Sequence, residues 1–338
     1  MSEIRYDLLT GEYVIYSPGR FRRAKNILET TNVSEKDCQL CPGKEDETPY
    51  PELFTIFSSG ERLEIEWDKE KIKNQDWLLR VVPNKKAILN LEVEHLKDRG
   101  VSEVIIETPK HGPEFHELGI EELSYIFEAV AARYNDLKKD NLLKYFCFFK
   151  NSGALAGASQ KHLHSQIVCM PIIPPYLNNR VQKLREEWER GSKCLFCEEI
   201  KNSLKQRRDI EMNLSFVAFC PYVSYKAFEI LIAPFEHECS FARDIISSPP
   251  SFIKTHHLAE ILKNSIERLQ ILHEGGVPYN LLLYTAPFHY DQEQYSFHWF
   301  FKIRPTLTFD AGFEWATKVG VNPVMPEDAA EQLRNVGL

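Results

Sequence analysis

The same set of metal-binding residue types occurs twice in this chain of 338 residues, in the same order. Each set consists of a Cys-x-x-Cys pair followed by two histidines far along the chain. The sets are Cys38, Cys41, His111 and His162, and Cys194, Cys197, His237 and His298. Two thiolates and two imidazoles are a common donor set for a closed, tetrahedral zinc ion. The spacing therefore predicts two structural zinc sites and a duplicated chain, with His289 as an alternative ligand in the second site.

Strand-like segments between these ligands support the duplication. The apolar run at 77–84 resembles 216–222, and 103–111 resembles 229–237. The second pair reads as a strand followed by a histidine in both halves. Each half then closes on a strand predicted to contain His162 or His298.

The remaining pattern of each half is a long amphipathic helix. Apolar residues recur at helical spacing over 123–137 and again over 258–272. We therefore expect an α+β fold of two similar halves, each an antiparallel sheet with a packed helix. Their predicted ranges are 1–175 and 190–338, and the proline-containing segment 171–192 is expected to connect them.

Composition excludes several classes of protein. The net charge of −8 argues against a general nucleic-acid-binding protein. No apolar run approaches the roughly 20 residues that a membrane-spanning helix needs. The N-terminus lacks a secretory signal pattern, so we expect a cytoplasmic protein with reduced cysteines. The four cysteines outside the two sets, at 147, 169, 220 and 239, are expected to be buried small apolar residues.

The segment His162-Leu-His164-Ser-Gln166 carries the predicted chemistry. Alternate residues of a strand share a face, so these three polar side chains should line up. With His162 on a metal, His164 remains free, and the second half has Phe300 at the matching position. A neutral imidazole that donates its other N–H to a backbone carbonyl is a good nucleophile toward phosphorus. Gln166 would hold a phosphoryl oxygen; the alternative for His164 is a hydrogen-bonded core histidine.

Residues near this segment suit a phosphate group. Gly153 and Gly157 allow backbone N–H groups to approach an anion, and Asn151 and Ser159 add side-chain donors. An arginine cluster at residues 20, 22 and 23 supplies guanidinium groups for bidentate phosphate contacts.

At these motifs the sequence resembles the galactose-1-phosphate uridylyltransferase family, a branch of the histidine triad superfamily. The resemblance spans nearly the whole chain, through residues 6–20, 38–43, 82–84, 151–166, 312–314 and 322–330. It implies two histidine-triad-like halves, with catalysis confined to the first. Because Cys194 and Cys197 are present, the chain resembles the two-zinc members of the family.

The resemblance implies a ping-pong reaction in which UDP-glucose and a hexose 1-phosphate, such as galactose 1-phosphate, exchange a uridylyl group. His164 would carry the nucleotidyl group, and Gln166 would stabilise the phosphoryl oxygens. A homodimer is implied, with C-terminal residues of one subunit reaching the active site of the other. The implied substrate contacts are Arg20, Arg23, Val82, Asn84, Asn151, Gly157, Ser159 and Glu314.

Three positions of the hexose-contacting segment depart from the family pattern, because Thr308, Phe313 and Gly320 replace a lysine, a tyrosine and a glutamine. The sugar and the base therefore stay open. The alternative function is an ADP-sugar or dinucleoside polyphosphate phosphorylase that uses the same His164 intermediate. A non-catalytic nucleotide-binding module is a third hypothesis. Hydrolysis is less favoured because Gln166 does not readily transfer protons.

Overall fold

The computed structural model describes residues 3–8, 10–11, 13–16, 34–73, 76–91, 99–191, 193–246, 252–274, 276–288, 290 and 296–338. Over these ranges the chain forms fourteen strands and eight α-helices. The strands are β1 (Glu3–Tyr6), β2 (Tyr13–Tyr16), β3 (Glu52–Phe57), β4 (Arg62–Glu66), β5 (Trp77–Pro83), β6 (Val101–Ile106), β7 (Tyr145–Ser152), β8 (His164–Met170), β9 (Asp209–Met212), β10 (Phe216–Phe219), β11 (Ile230–Pro234), β12 (Tyr279–Tyr284), β13 (Phe300–Pro305) and β14 (Gly320–Asn322). The helices are α1 (Lys69–Lys73), α2 (Ile120–Leu137), α3 (Pro175–Gly191), α4 (Leu195–Lys205), α5 (Phe241–Ile246), α6 (Phe252–Leu272), α7 (Gly312–Thr317) and α8 (Pro326–Arg334).

Eleven of these strands form one antiparallel sheet. Their order is β4-β3-β5-β6-β8-β7-β12-β13-β11-β10-β9. Outward from the central β7–β12 pair, strands β8, β6 and β5 follow on one side and β13, β11 and β10 on the other. Ser152 of β7 lies opposite Tyr279 of β12. The expected α+β class with antiparallel sheets is confirmed, and the two sheets are joined edge to edge.

Helices α2 and α6 contact each other over this sheet, as their apolar faces predict. Ile126 and Phe127 of α2 and Ile261 and Leu262 of α6 are fully buried in the main core. The same core crosses the centre of the sheet, where the rings of Phe127 and Phe301 lie 5.6 Å apart. Because sheet and core are both continuous, the division into halves at 175 and 190 remains a proposal about the sequence repeat.

The N-terminal strands pack against the C-terminal half. Strands β1 and β2 form a small sheet with β14, and β14 runs parallel to β2. The Tyr16 hydroxyl accepts a hydrogen bond from the Ser224 N–H at 2.6 Å. Arg5 pairs with Glu327 at 3.1 Å, and its guanidinium lies over the Tyr222 ring at 4.2 Å. These contacts bring residues from both chain ends onto one surface.

Several details of the sequence prediction are refined. The expected connector at 171–192 contains a regular helix, α3, with Leu177, Val181 and Leu184 buried. The prediction that His162 and His298 lie within strands is wrong, because β8 begins at His164 and β13 at Phe300. All eight cysteines are free thiols, and of the four outside the two sets only Cys147 is not fully buried. No helix in the described ranges is long and apolar enough to cross a bilayer.

Candidate active site and two metal-binding clusters

The structure brings the first set of predicted metal ligands together. One donor atom from each of Cys38, Cys41, His111 and His162 lies within 4.8 Å of every other. The Cys41 Sγ lies 3.3 Å from the His111 Nδ1 and 3.4 Å from the His162 Nδ1. The Cys38 Sγ lies 3.7 Å from the His162 Nδ1. A tetrahedral zinc ion would hold sulfur and nitrogen ligands about 3.5 Å apart, so this donor set fits one.

The second set forms a matching cluster in the C-terminal half. The donor atoms of Cys194, Cys197, His237 and His298 also lie within 4.8 Å of one another. The Cys197 Sγ lies 3.4 Å from the Nδ1 atoms of both His237 and His298. His289, the alternative ligand, lies outside the described residues. Both clusters are thus able to hold a metal ion, and zinc is our proposal for each.

A backbone carbonyl fixes the ligand nitrogen in each cluster. The His162 Nε2–H donates to the Thr108 carbonyl at 2.8 Å, and the His298 Nε2–H donates to the Pro234 carbonyl at 3.0 Å. Both histidines therefore present an unprotonated Nδ1 to the cluster. Thr108 and Pro234 occupy matching positions in the aligned segments 103–111 and 229–237. The two halves thus match not only in the cluster residues but also in the hydrogen bond that orients one histidine of each cluster.

His164 is the first residue of β8, and one of its two ring nitrogens already makes a hydrogen bond. Its Nδ1–H donates to the His162 carbonyl at 2.8 Å, so the unprotonated Nε2 keeps its lone pair. No other side-chain hydrogen bond of His164 occurs within the described part of the chain. Burial lowers the pKa of His164 below its ordinary value, and the nearby Lys150 ammonium acts in the same direction. A neutral imidazole with an available Nε2 is the form that nucleophilic attack requires.

Hydrogen-bond polarity orients the Gln166 amide. The Lys86 backbone N–H donates to the Asn84 Oδ1 at 2.9 Å, which leaves the Asn84 Nδ2 as the donor to the Gln166 Oε1 at 3.3 Å. The Gln166 Nε2 is then the free end of the side chain. His164 and Gln166 are both partly exposed, whereas Ser165 and Ile167 between and beyond them are buried. Gln166 thus offers an N–H donor on the same face as His164.

Five of the predicted site residues line one cavity of about 410 Å³: Val82, Asn84, Ser159, His164 and Gln166. The remaining walls include Gln39 and Leu40 of the first cluster loop, Thr48, and Lys85 and Lys86 at the mouth. Gln39 and Leu40 lie within the first Cys-x-x-Cys pair and the other wall residues belong to no motif, so the sequence did not indicate any of them as part of the cavity.

The glycine loop before β8 is held from the central strands. Asn151 donates through Nδ2 to the Gly157 carbonyl at 3.3 Å, and its Oδ1 accepts from Asn280 at 2.8 Å. Gly157 has a φ of +90°, and Gly153 has a φ of +82° beside Pro278. Asn151 lies with His164 along a smaller groove that adjoins the cavity residues. In this state Asn151 positions the loop, and a phosphate contact for it remains a proposal.

The sequence did not predict a buried ion pair that lies beneath His164. The Lys150 Nζ donates to the Glu107 carboxylate at 2.6 Å and to the His164 carbonyl at 3.2 Å. Both side chains are almost fully buried. In the sequence, the only indication of this pair was a charged residue at each of two apolar strands: Lys150 lies within β7, and Glu107 directly follows β6. Glu107 matches Ala233 in the aligned segments, so the second half lacks the carboxylate.

Of the described residues predicted to contact substrate, Asn151, Gly157 and Glu314 do not line this cavity. Arg20 and Arg23 lie outside the described residues. Glu314 lies on α7, where its carboxylate accepts the Ala311 N–H at 3.0 Å, away from the cavity of its own chain. Its proposed role would therefore require a second subunit.

The family model described as "Galactose-1-phosphate uridyl transferase, N-terminal domain" matches residues 1–174. An ADP-glucose phosphorylase of Arabidopsis thaliana is 29% identical over 99% of this chain and 93% of its own length. A galactose-1-phosphate uridylyltransferase of Thermotoga maritima is 27% identical over 99% of this chain and 98% of its own. The crystal structure of the Arabidopsis thaliana ADP-glucose phosphorylase with bound ADP-glucose superposes with a TM-score of 0.83, covering 100% of both chains at 29% identity.

Sheet, clusters and cavity together define an α+β protein with two clusters that could hold a metal ion and a cavity next to the first of them. The chain belongs to the galactose-1-phosphate uridylyltransferase family, and it is an enzyme of this nucleotidyltransferase kind.

Proposed function

We propose that this protein transfers a uridylyl group between UDP-glucose and a hexose 1-phosphate, such as galactose 1-phosphate, through a covalent nucleotidyl-His164. One observation carries the proposal. The His164 Nδ1–H donates a hydrogen bond to the His162 carbonyl at 2.8 Å, which leaves the Nε2 unprotonated at the cavity. Gln166 and Asn84, which line the same cavity, support phosphoryl transfer because they place an amide donor beside the nucleophile.

In the first step the His164 Nε2 attacks the α-phosphorus of the nucleotide sugar. The bond from this phosphorus to the bridging oxygen breaks, and the sugar 1-phosphate leaves with the electron pair. In the second step a phosphate oxygen of the other sugar 1-phosphate attacks the same phosphorus, and the P–N bond breaks. The Gln166 Nε2 stabilises the charge on the phosphoryl oxygens in both steps. The His162 carbonyl holds the imidazole in one tautomer throughout.

Two zinc ions per chain complete the proposal as structural ions. Both clusters have four protein ligands, so a tetrahedral ion would have no open position for substrate. Cys38, Cys41, His111 and His162 would hold the loop and strand start that carry His164. The second cluster would stabilise the matching region of the C-terminal half. We further propose a cytoplasmic homodimer in which Glu314 reaches the partner's cavity, and in which Arg20 and Arg23 contact the phosphates.

A second candidate function is phosphorolysis of an ADP-sugar, with inorganic phosphate as the acceptor. It is favoured by the similarity, over the full length of both chains, to a structure with bound ADP-glucose. The altered residues Thr308, Phe313 and Gly320 favour it as well, because they remove family contacts to the hexose. The first half-reaction would be the same attack by His164.

The donor base decides between these functions. The zinc-loaded full-length protein would be incubated with UDP-glucose or ADP-glucose carrying a radiolabel in the α-phosphate, then denatured and separated from free nucleotide. We expect acid-labile, base-stable label on His164 from UDP-glucose, and its release as UDP-galactose when galactose 1-phosphate is added.

Label from ADP-glucose alone, released by inorganic phosphate, would replace the first function with the second. His164→Ala is the matched control and should acquire no label from either donor. Turnover without any label on His164 would overturn both functions, because both require the covalent intermediate.

A further inference from the structure

The C-terminal half contains a second pocket at the position that matches the active cavity. Its volume is about 180 Å³. In the duplication, its wall residues Pro221, Phe300 and Lys302 match Pro83, His164 and Gln166. The half without a nucleophile has therefore kept a pocket and replaced its polar residues.

Arg180 of the connecting helix α3 lines this pocket, and among the described residues its side chain takes part in no hydrogen bond or ion pair. It is only 4% exposed, and its Nε makes no hydrogen bond. Its guanidinium lies over the Phe300 ring at 4.8 Å and near the rings of Tyr284 and Phe297. In the described part of the chain it forms no ion pair. A buried cation that lacks an acceptor is costly unless a ligand supplies one.

A second cation lies beside Arg180. The Lys302 Nζ makes no hydrogen bond within the described residues, but it forms an ion pair with a carboxylate oxygen of the buried Glu229 at 3.7 Å. Glu229 is shared, because Arg304 lies 3.8 Å from its other oxygen. Burial alone would lower the pKa of Lys302, but the Glu229 carboxylate raises it above its ordinary value, so the ammonium stays charged. The positive charge of Arg180 acts in the opposite direction and lowers the pKa of Lys302.

The acidic residues of the pocket wall are engaged with other groups. Glu199 accepts from Arg208 and from the Tyr222 N–H, both at 2.8 Å. Glu198 pairs with Lys201 at 2.9 Å. Asp7 accepts from the Thr10 hydroxyl at 2.7 Å. None of these three carboxylates is hydrogen-bonded to Arg180 or Lys302 among the described residues.

We propose that this pocket is a second ligand site that binds a phosphate group through Arg180 and Lys302. Guanidinium and ammonium groups together match the charge and acceptor oxygens of a phosphate dianion. The smaller volume, compared with about 410 Å³ for the active cavity, suits inorganic phosphate or a phosphorylated sugar better than a nucleotide sugar. The binding does not depend on the reaction proposed for His164.

Thermal unfolding of the zinc-loaded full-length protein tests the site. Inorganic phosphate and glucose 1-phosphate would be titrated separately against wild type, Arg180→Met and the control Arg185→Gln. Arg185 lies on the same helix but is exposed and paired with Glu189 at 3.2 Å. Binding at the active cavity contributes equally to all three proteins, so the difference between them reports the second site.

We expect Arg180→Met to match or exceed the wild-type Tm without ligand, because an unpaired buried charge is removed. Its phosphate-dependent rise in Tm should shrink, with the half-saturating concentration of the second site raised at least about tenfold. Arg185→Gln should behave as wild type. Equilibrium dialysis of labelled phosphate should show one site fewer per chain in Arg180→Met.

If Arg180→Met does not fold, Lys302→Gln gives the same test. This variant places at position 302 the residue type of Gln166, which matches it in the first half. A response at lower concentrations of glucose 1-phosphate than of inorganic phosphate would assign the sugar phosphate as the ligand, and the reverse order would assign free phosphate. An Arg180→Met protein with a lower Tm and an unchanged phosphate response would overturn the proposal, because Arg180 would then be a purely structural residue.

Discussion

The cavity around His164 and the pocket around Phe300 occupy matching places in the two halves of one sheet, yet they have different chemistry. Both lie beside a cluster of two cysteines and two histidines. The first presents an imidazole and an amide, whereas the second presents a phenyl ring beneath a buried guanidinium. The difference indicates that the Cys-His clusters and the groups proposed to react are separable features of the repeat.

The largest expected effect comes from exchanging the residues that distinguish the two sites. His164→Phe should lower turnover by about 10⁴-fold or more, because it removes the nucleophile. Phe300→His should not create a second labelled site, since Lys302 and Ala233 stand where Gln166 and Glu107 act in the first half. Donor labelling followed by peptide mapping measures both. Label on residue 300 of the second variant would show that the C-terminal half needs only an imidazole.

The buried ion pair beneath His164 has no carboxylate counterpart in the second half. Lys150→Met leaves Glu107 buried without a partner, so the free energy of unfolding should fall by about 3–5 kcal/mol. The double variant with Glu107→Ala, which copies Ala233, should recover part of that loss. Denaturant unfolding of the two variants and wild type measures the difference. An equally unstable double variant would indicate that lost packing, and not the unpaired charge, is responsible.

Removing one cysteine from each cluster separates the roles of the two proposed zinc ions. Cys41→Ser and Cys197→Ser should each lose about one zinc per chain, measured by metal analysis. Cys41→Ser should lower kcat about 10–100-fold, because His162 no longer fixes the start of the strand that carries His164. Cys197→Ser should lower Tm with kcat nearly unchanged. An equal loss of kcat in both variants would mean that the second cluster also positions His164, through the shared sheet.

The smallest expected effect is that of a substitution at Asn84, which should change kcat without changing stability. Asn84→Ala frees the Gln166 amide to rotate, so kcat should fall about tenfold with little change in Tm. Tyr222 matches Asn84 in the second half, and Tyr222→Ala should leave kcat unchanged. Steady-state kinetics of the two variants measures the contrast. Unchanged kcat in Asn84→Ala would show that Gln166 is held by other contacts.

The two sets of ligands illustrate how far the sequence alone reaches. Their order along the chain predicted two clusters, and the structure assembles both. The difference between His164 and Phe300 predicted which half is catalytic, and that assignment remains to be tested. Helical spacing predicted α2 and α6, because burial of an apolar stripe depends on local periodicity. Family resemblance added the reaction class.

Other features could not be read from local pattern. The pairing of β7 with β12, which joins residues 145–152 to 279–284, gives one sheet where the sequence was equally compatible with two. The start of β8 at His164 frees the His162 carbonyl to accept the Nδ1–H of the nucleophile. The ion pair between Lys150 and Glu107 joins residues from different strands.

The sequence by itself determined the donor types, their duplication and the single candidate nucleophile, because these depend on residue identity and order. Only the tertiary structure decided the tautomer of His164, the orientation of Gln166 and the burial of Arg180 against three aromatic rings. These depend on which backbone carbonyls, amides and rings lie within a few ångströms, and long-range strand pairing sets those distances.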